Sequence, residues 1–121
     1  MLAFCFCFEY IRGVIDLKKL QKKIIANRKA KGFSNDVVRD FCRTFEELSE
    51  AFSKYDRGQD GVAEEFADVI IFILGMSHNL GFDLEKELVA KIEKNKKRQY
   101  KKMKSIDGKD IFIRIKTPED P

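Results

Sequence analysis

Along the first two-thirds of the chain apolar residues recur at steps of three and four, the period of a helix with one oily face. Leu17, Leu20, Ile24 and Ile25 follow Asp16, a side chain suited to an N-cap, and the pattern stops at Gly32-Phe33. A glycine followed by a hydrophobic residue signals a left-handed helix cap with its packing contact. A second helix opens at Ser34 and carries Val37, Val38, Phe41, Phe45, Leu48 and Phe52 before the turn-rich YDRGQDG. Asp60 is placed to cap a third helix, which ends at Gly81-Phe82 with the same glycine signal. Asp83 caps a fourth, with Leu84, Leu88, Ile92 and Tyr100 as its intermittent apolar face. After Ser105 the period drops to two: Asp107-Gly108 makes a turn, and Ile111, Ile113 and Ile115 predict a short strand. A lone strand needs a partner, which another subunit can supply.

These elements predict an all-α fold, a four-helix bundle with a short C-terminal strand, in a chain of 121 residues that is the size of one domain. The expected organisation is an apolar N-terminal extension over 1–15, a helical domain over 16–105 and a tail over 106–121. The opening MLAFCFCFEYIRG has no basic segment or cleavage site of a secretory signal, so we expect a cytoplasmic protein. Either this segment packs against the bundle or the Ile111 strand, or it is a dispensable extension, which we expect because the acidic and basic motifs all lie beyond it. The apolar run from Val69 to Met76 is far short of the ~20 residues a spanning helix needs, so no membrane partner is expected. Cys5, Cys7 and Cys42 are an odd number without a CxxC pair, a pattern that suggests neither a disulfide framework nor a thiolate zinc site; they are expected to be reduced and structural.

The third helix poses a chemical question. In EEFADVIIFILGM, Glu65 and Asp68 enter a run whose other residues are almost all oily, and acids in such surroundings need a partner or a cation. Glu47 and Glu50 stand three apart on the second helix, as Glu65 and Asp68 do on the third, so each pair shares a helix face and the two pairs can converge. Four converging carboxylates repel one another unless a cation neutralises them. Oxygen ligands without cysteine or histidine suit a hard ion, Mg²⁺ first and Mn²⁺ as its substitute. Taken alone, Glu46, Glu47 and Glu50 read as a solvated helix face; Glu65 and Asp68 shift the balance toward a site. His78 is not at Glu-x-x-His spacing, which argues against a di-iron bundle, and is read as structural.

The formal charge of +4 comes from one segment, KIEKNKKRQYKKMK at 91–104, with eight basic residues against the single acid Glu93. An anionic ligand near it is expected.

Glu47-x-x-Glu50, a short connector, then Glu65-x-x-Asp68, preceded by Glu46, resembles the signature of the MazG-like members of the all-α nucleoside triphosphate pyrophosphohydrolases. Lys91-x-x-x-Asn95 followed by Lys97 and Arg98 is similar to that family's phosphate-binding segment, and the resemblance spans about Asp16 to Met103. It implies Mg²⁺-dependent hydrolysis of a nucleoside triphosphate, a dNTP or modified NTP, to nucleoside monophosphate and pyrophosphate. Glu47, Glu50, Glu65 and Asp68 would hold the metal, Glu46 or Glu47 would act as base, and Lys91, Asn95, Lys97 and Arg98 would bind the phosphate chain. The chain has no tryptophan to sandwich a base, so stacking falls to phenylalanines such as Phe72, one turn beyond Asp68, and the base identity stays open. Asn27 and Arg28 are left outside the site.

The rival reading is a non-catalytic helical module that binds nucleic acid or regulates a partner through its basic segment. A buried acidic quartet gives such a binder nothing, so the spacing favours the enzyme, with nucleic acid not expected as a partner. Abundant phenylalanine and broad apolar helix faces predict a homodimer or homotetramer.

Overall fold

The computed structural model describes residues 15–118. The expectation for the apolar N-terminal segment therefore falls almost wholly outside the described residues. Four helices, α1 (Leu17–Ala30), α2 (Val37–Asp56), α3 (Val62–Leu80) and α4 (Leu84–Lys97), precede two strands, β1 (Gln99–Lys104) and β2 (Asp110–Ile115). The chain forms two compact units, the first ending at Leu84 and the second beginning at Glu85. The all-α expectation with a short terminal strand is what the structure shows.

Local chemistry sets the helix limits. Asp16 accepts from the Lys19 amide at 3.1 Å, as its position predicts. At the far end of α1, Phe33 N–H donates to the Arg28 carbonyl and Gly32 N–H to that of Lys29, with Gly32 at φ 67°, so the glycine-plus-aromatic signal marks a Schellman closure. Gly81-Phe82 closes α3 likewise, Phe82 N–H reaching the Ser77 carbonyl at 3.1 Å. Two starts differ from expectation. The cap of α2 is Asp36, whose carboxylate accepts from Val38 and Arg39 while Ser34 Oγ braces Asp36 N–H, so the helix begins later than Ser34. The cap of α3 is Gly61, with no side-chain bond, and not Asp60. Glu64 and Glu65 in its first turn instead complement the positive end of the helix.

Within the first unit α3 is the central element, packed against both α2 and α1. Among the described residues Ala51, Leu74 and Met76 are the buried large or aliphatic apolar side chains, and Ser77 is buried with them. Gln21 Nε2 donates to the Leu74 carbonyl at 3.0 Å, tying α1 to the middle of α3. The apolar stripe of α2 faces outward: Val38, Phe41, Phe45, Leu48, Phe52 and Tyr55 are 46–73% exposed. The side of α2 turned inward carries buried Asp40 and Ala51 and half-buried Thr44, Glu47 and Lys54. Phe66 and Ile70 of α3 are likewise more than half exposed, whereas Leu74, one turn farther on, is buried. Cys42, expected to be structural, is exposed.

In the second unit α4 stops at Lys97, so Tyr100 lies on β1 and not on the fourth helix. The extended chain that follows pairs antiparallel with β2, from Gln99 opposite Ile115 to Lys104 opposite Asp110. The partner of the Ile111 strand is thus in the same chain. Asp110 receives Lys104 at 2.6 Å and Lys102 at 2.9 Å, which holds its carboxyl below the usual range. The turn between the strands is closed by Ser105 N–H on the Lys109 carbonyl and by Asp107, which accepts from Ser105 Oγ and the Lys109 amide.

Candidate metal centre

Packing of α3 on α2 brings Glu47, Glu65 and Asp68 together, one carboxylate oxygen from each lying within 4.8 Å of the others. Their origin is the spacing along each helix. Glu65 and Asp68 are three apart at the start of α3, and Glu47 faces them from the inner side of α2. Glu65 is 7% exposed, while Glu47 and Asp68 are half-buried. Burial first of all, then a hydrogen bond with Glu65 and the charges of Asp68, Glu50 and Glu65, push the Glu47 carboxyl above its ordinary value. Glu65 is held below its own, because Lys54 Nζ donates to its Oε1; burial opposes this, and the bond with Glu47 assists. The Lys54 ammonium is held above its usual range by the same bond.

The structure gathers three of the four predicted metal ligands. Glu50 is exposed and stands outside the group, although its charge acts on Glu47 and Lys54. Electrostatics accounts for this: a fourth carboxylate is repelled by the other three, whereas Lys54, one turn farther along α2, is attracted and meets Glu65. Glu46 is exposed and paired with Arg43 at 2.9 Å, not turned to the cluster. His78 is exposed and plays no part in the group.

Glu47 also borders a cleft of about 1020 Å³ in the first unit, lined by α1, α2, α3 and the Gly32–Ser34 turn. Its floor is apolar, with Leu20, Ile24, Ile70 and Phe72, and its polar groups include Lys23, Asn27, Arg28, Arg39, Asp40 and Arg43. Phe72 and Glu47 line the same cleft. Asn27 and Arg28, left outside the site by sequence reasoning, line the cleft. Arg28 is buried and donates through Nη2 to Asp40 Oδ2 at 2.7 Å and to the Ser34 carbonyl at 2.9 Å. Lys54 was readable as a member of the Glu47/Glu50 helix stripe; the Arg28–Asp40 pair joins two helices and has no spacing signal.

Lys91, Asn95, Lys97 and Arg98 belong to the second unit. Lys91, Asn95 and Lys97 are exposed on α4, and Arg98 Nη1 donates to Asn95 Oδ1 at 2.8 Å just past its end.

Three hard oxygen donors at this separation, with no sulfur or imidazole, fit a divalent ion of the Mg²⁺ or Mn²⁺ type. Among the described residues no single helix is long and apolar enough to cross a membrane. The chain matches no curated protein and no solved structure. A model of the MazG-like family matches residues 40–110, which cover the acidic cluster, α4 and β1. With more than half of its length inside that match, the chain belongs to the MazG-like family, whose function is of the nucleotide pyrophosphohydrolase type.

Proposed function

We propose that the protein hydrolyses a nucleoside triphosphate to the monophosphate and pyrophosphate in a Mg²⁺-dependent reaction. The observation that carries this reading is the meeting of Glu47, Glu65 and Asp68 beside a cleft large enough for a nucleoside. Glu47, Glu65 and Asp68 would hold the ion, with Glu50 on the same stripe of α2 as an additional ligand. Bound there, Mg²⁺ would neutralise phosphate oxygens and lower the pKa of an attacking water.

The protein's own groups divide the remaining work. Glu47, at the edge of the cleft, is the candidate base to the extent that the ion leaves one of its oxygens unengaged. Glu46, held by Arg43, keeps Arg43 oriented and is a weaker candidate for that role. Phe72 and the apolar floor would receive the base, with Asn27 offering an amide to its edge or to the sugar. Lys91, Asn95, Lys97 and Arg98 keep the phosphate-binding role that the resemblance implies, as a separate proposal. Asp68→Asn tests the reading: the folded variant should lose turnover by more than about 100-fold, since even outer-shell changes at metal sites cost 10–100-fold. Full activity in folded Asp68→Asn would contradict it.

The exposed stripe of α2 supports a second proposal, a homodimer. Positions 38, 41, 45, 48, 52 and 55 alternate steps of three and four, the a/d pattern of a coiled-coil seam. Two flanking positions on the outer side, Cys42 and Ser49, are small, uncharged and exposed, and permit close approach. With aromatic side chains of about 150–250 Å² each, pairing two such seams would bury on the order of 1,200 Å² in total, the lower end of stable interfaces.

A further inference from the structure

Lys54 is a cation for which the proposed reaction has no role. It lies seven residues after Glu47 and four after Glu50, so all three occupy one stripe of α2. Its stem crosses the start of α3 to reach Glu65, passing Gly61. A Cβ built there would stand 3.1 Å from Lys54 Nζ and 3.4 Å from Cδ. Gly61 has φ 104°, so the position favours glycine on two counts, backbone and space. The Lys54 carbonyl is itself fixed by the Gln59 amide at 2.8 Å. The ammonium thus rests on the most buried of the three carboxylates that a divalent ion would need. Two cations on Glu65 in part-buried surroundings repel one another strongly.

We propose that Lys54 is the exchangeable counter-ion of the acidic cluster: it positions Glu65 when no divalent ion is bound, and an ion entering among Glu47, Glu65 and Asp68 expels it. This inference rests on the metal-site reading of the cluster. Lys54 acts here as a positioning residue, and its effect is on metal affinity. A lysine that merely stabilised the fold would lower stability with or without metal when replaced, and would leave affinity for the ion unchanged or weaker.

Calorimetric titration with Mn²⁺ at pH 8, without nucleotide, tests this on the wild type, Lys54→Met and Lys54→Arg. Lys54→Met should bind Mn²⁺ roughly five- to tenfold more tightly, the scale of one part-buried ion pair that no longer has to break. Without metal it should unfold at a lower temperature than wild type, and saturating Mn²⁺ should remove the difference. Lys54→Arg should stay closer to wild type in both. Equal or weaker Mn²⁺ binding by Lys54→Met would overturn the proposal and leave the metal site standing; no Mn²⁺ binding by any of the three would overturn the metal site as well. The wild-type chain supplies a check that does not depend on how the variants fold. With ¹³C-labelled lysine, one ε-methylene resonance set apart from the exposed lysines should join them as Mg²⁺ is added. Failure of any such resonance to move while Mg²⁺ binds would also overturn the proposal.

Discussion

Arg28 of α1 and Asp40 of α2 form a buried ion pair, Nη2 to Oδ2 at 2.7 Å, with both side chains at most 10% exposed. The guanidinium lies against α3, where a Cβ on Gly75 would come within 2.9 Å of Nη1. One residue thus ties together the three helices that frame the cleft. Removing one partner from a buried pair leaves an uncompensated charge. Asp40→Ala should therefore lower stability by about 3–5 kcal/mol in denaturant unfolding, whereas the double change Arg28→Met with Asp40→Leu should recover most of it. A loss below about 1 kcal/mol for Asp40→Ala would show that the pair is not buried in solution.

Gly75 supplies the room for that guanidinium. Glycine inside a helix costs up to about 1 kcal/mol relative to alanine, so an unconstrained site would gain from Gly75→Ala. Here the added methyl meets a side chain fixed by its ion pair, and the variant should instead be destabilised by about 1–3 kcal/mol. Thermal unfolding decides the sign.

The acidic cluster predicts a pH dependence in protein stripped of divalent ions. Glu47 is raised above its ordinary 4.5, chiefly by burial, so the fold favours its protonated form. Its contribution to stability is complete below 4.5 and is lost as pH rises through the higher folded value. Glu65, lowered chiefly by Lys54, contributes in the opposite sense: its share is present above 4.5 and lost as pH falls through the lower folded value. An ion held by the cluster would remove the penalty at Glu47, so the rise in melting temperature caused by Mg²⁺ should grow from pH 5 to pH 8. Glu47→Gln should raise the metal-free melting temperature at pH 8 and abolish that rise. A Mg²⁺ effect that is flat with pH, or that survives Glu47→Gln, would contradict the assignment.

The outward stripe of α2 predicts association. Phe45→Glu or Phe52→Glu would place charges across the seam, and each should convert a dimer to a monomer in sedimentation analysis with helicity retained. A wild-type chain that sediments as a monomer would contradict the homodimer proposal.

Helix existence was legible, and so were the helix ends set by purely local chemistry: Asp16, Gly32-Phe33 and Gly81-Phe82 act on their own neighbours. The acidic pairs were legible because three-residue spacing fixes a shared face before any tertiary contact forms. What the pattern could not tell was which face of α2 turns inward. An apolar stripe reads the same whether it packs within the chain or against another copy, and the inner face here is built from Asp40, Thr44, Glu47, Ala51 and Lys54, whose partners lie on other helices. The exclusion of Glu50 from the carboxylate group and the Arg28–Asp40 pair are tertiary facts of the same kind. The β1 strand was hidden because Gln99–Lys104 is dominated by lysine, and its pairing depends on Asp110 across the hairpin.

The measurement that bears most directly on the central claim is ³¹P NMR of a panel of ordinary and modified nucleoside triphosphates incubated with the protein and Mg²⁺. For at least one nucleotide the spectrum should show a nucleoside monophosphate and pyrophosphate appearing in equal amounts, with no signal growth when Mg²⁺ is chelated. Orthophosphate as the released product, or unchanged triphosphates across the panel, would contradict the claim.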